Sequence, residues 1–243
     1  MKSSYYVGYL TAGYPTLEDS IRAACAMVEG GVDILELGVP HSDPIADGPV
    51  ITRAMQVALE QGITFDQVLE AARSIQSDCS VPIVLFSYYN VLLQQKDLFE
   101  RIRAAGIDAV LVVDLPFEES ADFYQQCLDH QIDPIVVIAP TTSPERCVLM
   151  KTFARRFVYY ACRLGVTGPR DSFPSDFSEN LAKIRKIFNL PVVAGFGIAD
   201  RKLASEALIH ADGFVVGSRI VSAIEEYGTQ EKFIEFIRSI DPR

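Results

Sequence analysis

The sequence predicts an α/β protein built as a single (β/α)8 (TIM) barrel. Short apolar runs alternate along the chain with amphipathic runs of about 10 to 15 residues. The short runs are apolar throughout, which is typical of parallel strands that are buried on both faces. Eight such strand–helix pairs in 243 residues match the strand count and the size of this barrel. We therefore expect one domain over residues 1–243, with no linker.

The strands are predicted at the apolar, β-branched runs. The first covers residues 5–10 and is closed by the turn TAGYP at residues 11–15. The others cover residues 34–38, 82–87, 109–113, 134–138, 157–161, 192–194 and 213–216. An open doubly wound sheet is the rival architecture. The sequence disfavours it, because no GxGxxG turn follows the first strand and the glycine-rich turns come after strands six, seven and eight.

Helices are predicted at the amphipathic runs between these strands. The first covers residues 17–29 and ends at Gly30-Gly31, and the second, over residues 49–61, begins at a proline that follows Gly48. The others cover residues 65–77, 98–105, 118–130, 144–153, 176–188 and 201–210, with further helical segments from Ser218 and from Glu231.

Composition excludes several classes of function. The net charge of −10 argues against a nucleic-acid surface, which needs clustered Lys and Arg. No apolar run approaches the roughly 20 residues that span a bilayer, and no charged-then-apolar leader precedes the first strand. Five cysteines without a CxxC pair predict a reduced, cytoplasmic chain in which most cysteines are small core residues. Three histidines without i, i+4 spacing predict no metal site.

The most informative stretch is LELGVPHSDPIADGP at residues 35–49. It begins inside a predicted buried strand, where an unpaired charge such as that of Glu36 costs several kcal/mol. Glu36 is therefore either paired within the barrel, for instance with Arg163, or a general acid/base. Asp47 is either a helix cap before Pro49 or a second carboxylate at the mouth of the same strand. Two carboxylates in different environments allow one site to perform acid and base chemistry.

Three glycine-rich turns predict a phosphate site. They are GVTG at residues 165–168, GFG at residues 195–197, and Gly217-Ser218 at the start of a helix. Glycine lets backbone N–H groups approach an anion, and barrel enzymes bind phosphate after strands seven and eight. The alternative is that these glycines only form tight turns. No lysine stands at the carboxyl end of a strand, which argues against a Schiff-base aldolase.

The stretch at residues 35–49 resembles the signature of the tryptophan synthase alpha chain family. Further matches follow in the same order along nearly the whole chain: TxGxP from Thr11, YxN from Tyr88, DxPxEES from Asp114, GVTG from Gly165, GFGI from Gly195, and Gly217-Ser218. The resemblance implies a lyase that cleaves indole-3-glycerol phosphate to indole and glyceraldehyde 3-phosphate. It also implies a beta-chain partner that carries pyridoxal phosphate, in an αββα heterotetramer that channels indole, and no cofactor in this chain.

The resemblance also implies roles for individual residues. Glu36 would handle the protons at indole C3 and at the glycerol hydroxyl, Asp47 would accept the indole N–H, and Tyr159 would position Glu36. The substrate would lie against Tyr9, Phe86, Tyr88, Leu111, Val113, Val137 and Thr167. Its phosphate would be bound at Gly168, Gly195, Gly197, Gly217 and Ser218. The partner would contact the loop that holds His41, Asp43 and Pro44, and the loop after Gly165 would act as a lid.

The sequence also departs from the family pattern. The helix that usually precedes the first strand is absent or shortened, His41 replaces a usual Phe, Cys162 replaces a common Ser, and Pro169 follows Gly168 in the predicted lid. Proline there fixes φ and removes an N–H donor. Glu36 and Asp47 argue for the lyase, whereas these departures leave room for an alternative function, a weakly active or inactive barrel that mainly binds and activates the beta chain. A third possibility is another phosphate-binding barrel, such as an isomerase of the same biosynthetic route.

Overall fold

The computed structural model describes residues 4–162, 172–195, 197–227 and 230–243. All strand pairs in this part of the chain are parallel, and the sheet runs in the order β5-β4-β3-β2-β1-β9-β8-β7-β6. The strands are β1 (Tyr5–Thr11), β2 (Ile34–Gly38), β3 (Ile83–Ser87), β4 (Ala109–Val112), β5 (Asp133–Pro134), β6 (Val136–Ile138), β7 (Val158–Ala161), β8 (Val192–Gly195) and β9 (Gly213–Val216).

The predicted fifth strand is divided in the structure into β5 and β6. Its first half pairs with β4 and its second half pairs with β7. Between them, the Ile135 N–H still donates to the Val110 carbonyl oxygen at 2.9 Å. One continuous segment thus joins the two ends of the sheet, and the predicted (β/α)8 barrel is confirmed.

The helices surround the sheet. They are α1 (Leu17–Glu29), α2 (Pro49–Glu60), α3 (Phe65–Cys79), α4 (Tyr89–Leu93), α5 (Leu98–Ala104), α6 (Ala121–Asp129), α7 (Pro144–Met150), α8 (Phe177–Ile187), α9 (Arg201–Leu208), α10 (Ser218–Glu226) and α11 (Gln230–Ile240). Side-chain N-caps define where several of these helices begin. Thr16 accepts from the Asp19 N–H, Thr64 forms a capping box with Gln67, and Asp200 accepts from the Leu203 N–H. The short helix α4 was not predicted from the sequence.

The apolar residues form two layers that follow from the alternation of side chains along each strand. Tyr6 and Leu10 of β1 point outward and pack under the helices, whereas Val7 and Tyr9 point into the barrel. Glu36 occupies an inward position on β2, directly beside Tyr9 in the strand register. The fold therefore carries this carboxylate into an otherwise apolar barrel interior.

The cysteine prediction is wrong for one pair. Cys25 of α1 and Cys79 of α3 form a disulfide, with their Cα atoms 5.6 Å apart and a sequence separation of 54. The pairing arises because these two helices are neighbours outside the barrel, which spacing along the chain does not show. Cys127, Cys147 and Cys162 are buried in the outer core layer, as predicted. In the described part of the chain, no helix is long and apolar enough to span a membrane.

Arg243 lies at the end of the barrel at which the strands begin. Its guanidinium is paired with the Asp33 and Asp241 carboxylates and donates to the carbonyl oxygens of Ser4 at 3.0 Å and Gly31 at 2.9 Å. Asp33 also accepts from the Tyr6 N–H at 3.0 Å. The last residue of the chain is therefore bonded to the segment that leads into the first strand.

We expect Arg243→Ala to lower the free energy of unfolding by about 2–3 kcal/mol, because it removes the guanidinium that pairs with the mostly buried Asp33 and Asp241 carboxylates and donates to two backbone carbonyl oxygens. Urea titration followed by circular dichroism measures the change. Arg238→Ala is the matched control, because the exposed Arg238 guanidinium forms only a long ion pair with the Glu29 carboxylate, at 3.9 Å. We expect this variant to lose less than about 0.5 kcal/mol of stability. Equal losses in the two variants would contradict the role given to Arg243.

Candidate active site

Glu36 is a fully buried carboxyl group in the middle of β2. Its side chain is 1 % exposed, and its Oε1 atom has no hydrogen-bond partner among the described residues. Burial, reinforced by the nearby charge of Asp47, raises the pKa of Glu36 from 4.5 to about 8. The group is therefore mostly protonated at neutral pH and can act as an acid.

Asp47 lies in the loop between β2 and α2, and is 6 % exposed. The Tyr88 hydroxyl donates to its Oδ2 atom at 2.7 Å, while Oδ1 has no partner among the described residues. Burial raises the pKa of Asp47 from 3.8 to about 6, and the Tyr88 hydrogen bond opposes that rise. Asp47 is therefore mostly ionised at neutral pH, so the two carboxyl groups of this site are in opposite protonation states.

Two tyrosine hydroxyls lie over strand glycines inside the barrel. A Cβ atom on Gly38 would stand 2.2 Å from the Tyr9 hydroxyl, and one on Gly195 would stand 2.1 Å from the Tyr159 hydroxyl. Burial raises the pKa of Tyr9 and Tyr159 well above 10, so both phenols keep their protons at neutral pH. The Tyr9 hydroxyl shares a hydrogen bond with the Thr11 hydroxyl at 3.2 Å. Glycine on β2 and β8 thus makes room for these rings beside the carboxyl groups.

One cavity at the carboxyl ends of the strands contains both carboxyl groups. It encloses about 490 Å³ of empty space including its open mouth. Its lining includes residues that were predicted to be catalytic, to bind substrate or to bind phosphate: Tyr9, Glu36, Asp47, Phe86, Tyr159, Gly197, Gly217 and Ser218. The other lining residues were not predicted from the sequence. They are Ile51, Ile198, Ala199, Val215 and Arg219. For Val215, the inward alternation on β9 was the signal that could have found it.

Several other predicted residues lie outside the lining of this cavity. Leu111 is buried in the inner core layer, and Val113 and Val137 pack against that layer. Tyr88 is buried behind Asp47, and Gly195 lies beneath the Tyr159 ring. Residues 163–171 fall outside the described part of the chain, and with them Thr167, Gly168, Arg163, Pro169 and the predicted lid after Gly165.

The start of α10 forms one wall of the cavity. Gly217 is its N-cap, Ser218 is its first residue, and Gly197 with a φ of +95° lies beside them. The first N–H groups of a helix have no partners within the helix, and the helix dipole places partial positive charge at this end. This wall can therefore bind an anion such as a phosphate group.

The predicted partner-facing loop lies next to Asp47. Asp43 is exposed, whereas His41 and Pro44 are half-buried. The His41 ring stacks on Tyr88, with 4.7 Å between the ring centroids. This loop therefore has one exposed edge and one edge packed on Tyr88, behind Asp47.

A parallel barrel, with two carboxyl groups and a helix N-terminus around one cavity at the carboxyl ends of its strands, is the arrangement typical of (β/α)8 enzymes. The chain belongs to the tryptophan synthase alpha chain family, whose model matches residues 1–239. The alpha chain of Chlamydia caviae is 44% identical over 243 residues, covering 98% of this chain and 95% of that relative. The alpha chain of Coxiella burnetii strain CbuK_Q154 is 44% identical over 242 residues, covering 99% and 94%.

Solved structures give the same result. Tryptophan synthase from Mycobacterium tuberculosis superimposes with a TM-score of 0.90 at 32% identity, covering 98% of this chain and 91% of that one. Tryptophan synthase subunit alpha from Campylobacter jejuni superimposes with a TM-score of 0.87 at 32% identity, covering 99% and 97%. The family resemblance read from the sequence is therefore confirmed.

Proposed function

We propose that this chain is the alpha subunit of tryptophan synthase and cleaves indole-3-glycerol phosphate to indole and glyceraldehyde 3-phosphate. The observation that carries the proposal is that two buried carboxyl groups, Glu36 and Asp47, line one cavity. Gly217 and Ser218, at the start of a helix, line the same cavity and suit the substrate's phosphate. Membership of the family supports the same reaction.

The reaction begins with proton transfer from Glu36 to indole C3. The positive charge that develops on the indole ring is stabilised by Asp47, which accepts a hydrogen bond from the indole N–H. Glu36 is then a carboxylate and removes the proton of the glycerol hydroxyl next to C3. The carbon–carbon bond breaks, its electron pair returns to the indole ring, and the hydroxyl carbon becomes the aldehyde of glyceraldehyde 3-phosphate.

The remaining site residues bind and orient the substrate. Tyr9 and Phe86, whose rings meet edge-to-face at 5.2 Å, give the indole an apolar aromatic surface. Tyr159 holds a protonated hydroxyl beside Glu36 and positions it. We assign the phosphate to the backbone at Gly197, Gly217 and Ser218; the resemblance to the family adds Gly168.

We further propose that a beta chain carrying pyridoxal phosphate binds the loop containing His41, Asp43 and Pro44. Indole would then pass to that chain for condensation with serine, in a cytoplasmic αββα assembly. This chain itself would need no cofactor, because Glu36 carries out both proton transfers and Asp47 stabilises the charge that develops on the indole ring. The exposed side chain of Ile45 at the tip of the loop supplies apolar contact area for such a partner.

The two pKa values predict a bell-shaped dependence of kcat/KM on pH. Activity requires ionised Asp47 and protonated Glu36, so it is expected to be highest between about pH 6 and 8. It falls below this range as Asp47 gains a proton, and above it as Glu36 loses one. Initial rates of indole release from pH 5 to 9.5 measure the profile. Asp47→Asn should flatten the acid limb, and a profile without an alkaline limb would contradict the role of Glu36.

The proposed function is tested by measuring indole release from indole-3-glycerol phosphate with and without the beta chain. The conversion of indole and serine by the beta chain is measured in parallel. Indole release that rises when the partner is added supports a coupled lyase. A faster beta reaction without any indole release would instead mean that the barrel only binds and activates its partner. Failure of both reactions would overturn the proposal.

A further inference from the structure

Tyr88 connects the partner-facing loop to the active site. Its side chain is 1 % exposed, and its hydroxyl donates to Asp47 at 2.7 Å while accepting the Ala46 N–H at 3.1 Å. Tyr88 follows the last residue of β3 and is the N-cap of α4. The orientation of this one phenol therefore determines whether Asp47 receives its hydrogen bond.

The His41 ring covers the Tyr88 phenol. The two rings stack with their centroids 4.7 Å apart and their planes 28° apart. Stacked flat rings restrict rotation of the phenol and exclude water from the hydrogen bond beneath. His41 is half-buried and does not line the cavity, so it has no contact of its own with the substrate position.

The charges around Asp47 make the Tyr88 bond important. The ionisable groups that face Asp47 are Glu36 of β2, Tyr9 of β1, Tyr159 of β7 and Tyr88. Among the described residues, only Tyr88 donates a side-chain hydrogen bond to the Asp47 carboxylate. The other charged group facing Tyr88 is Asp114, which accepts the Tyr89 N–H at 2.7 Å. Without the Tyr88 hydrogen bond, the Asp47 carboxylate would stay buried, and burial favours its protonated form.

We propose that His41 is a positioning residue for the cleavage reaction, and that its ring holds the Tyr88 hydroxyl on Asp47 so that Asp47 stays ionised. The inference deepens the function proposed above and rests on it. His41 acts through Tyr88, and its own proton takes no part in the chemistry. A flat ring at this position is the feature required.

The direct test is a pH titration of Asp47 in the whole chain. It is monitored by NMR on protein labelled with ¹³C-carboxyl aspartate. The Asp47 resonance is identified by its absence in Asp47→Asn. We expect His41→Ala to raise the pKa of Asp47 by about half a unit to one unit, in the direction of Tyr88→Phe, because both changes remove the same hydrogen bond. In the double variant His41→Ala/Tyr88→Phe the shift should be no larger than in Tyr88→Phe alone. The acid limb of kcat/KM should move by the same amount as the titration.

Two further variants separate positioning from loosening of the loop. His41→Phe keeps a flat ring and should return the titration of Asp47 to that of the parent. Ile45→Ala removes an exposed side chain from the same loop and should leave the titration unchanged. An Asp47 pKa that stays constant or falls in His41→Ala overturns the proposal, as does an equal rise in Ile45→Ala. If the parent releases no indole, the proposed function fails, and the titration still decides the role of His41.

Discussion

Glu36→Gln is expected to lower the turnover of indole-3-glycerol phosphate by roughly a thousandfold, which is within the range attributed to a general acid/base. Glutamine has nearly the same shape as glutamic acid, but it cannot give a proton to indole C3 or accept one from the glycerol hydroxyl. Because both proton transfers depend on one group, the two steps fail together. Steady-state assays of indole release, with the beta chain present, measure the loss.

The same substitution should make the protein more stable at alkaline pH. The pKa of Glu36 is raised in the folded state, so its favourable contribution is complete below about pH 4.5 and is lost as the pH rises through about 8. Glutamine does not ionise, so the advantage of the variant grows over this range by on the order of 4 kcal/mol and is constant above it. Urea denaturation at pH 5, 7 and 9 measures this difference.

Glu18→Gln provides the control, because the Glu18 side chain is 86% exposed and pairs only loosely with Arg22 at 3.7 Å. It should change neither turnover nor the dependence of stability on pH. Near-normal turnover of Glu36→Gln would remove Glu36 from the proposed mechanism. A loss of turnover together with unfolding at all pH values would mean that Glu36 has a structural role instead.

Gly195→Ala is expected to reduce kcat by at least about tenfold and to destabilise the fold by about 1–3 kcal/mol, the range found for overpacked cores. The new Cβ atom would stand 2.1 Å from the Tyr159 hydroxyl and 2.2 Å from its Cζ atom, so the ring must leave its place. Tyr159 is buried beside Glu36, and movement of the ring changes the position and the environment of that carboxyl group. Indole release and thermal unfolding, measured on the same preparation, report the two effects.

Gly217→Ala is the matched control for packing. A Cβ atom there meets its nearest neighbours at 3.7 Å or more, which is ordinary van der Waals contact. Its melting temperature should therefore stay within about a degree of the parent, whatever it does to substrate binding. Equal destabilisation by the two alanines would show that the space above Gly195 is not what holds Tyr159.

Most of the barrel could be predicted from the sequence because each strand is a continuous apolar run between turn residues. The division of residues 134–138 into β5 and β6 could not, since it depends on which neighbour each half meets when the sheet closes. The Cys25–Cys79 disulfide escaped prediction for a similar reason, because it joins helices that only the closed barrel brings together.

The candidate site shows the same division between local and long-range information. A glutamate in an apolar strand has a local signature, and so does the motif around Asp47. The hydrogen bond from Tyr88 to Asp47 spans 41 residues, and no periodic pattern reports it. The room that Gly38 and Gly195 leave for tyrosine rings is likewise a property of neighbouring strands, which are far apart in the sequence.

The position of Arg243 also bears on how such a protein can change over evolutionary time. The ionic cluster that it forms lies at the end of the barrel where the strands begin, and the carboxyl groups of the cavity lie at the other end. Substitutions around this cluster can therefore adjust tolerance to heat without altering the chemistry in the cavity. A lineage can exchange residues around Arg243 as its growth temperature shifts, while Glu36 and Asp47 remain under separate selection.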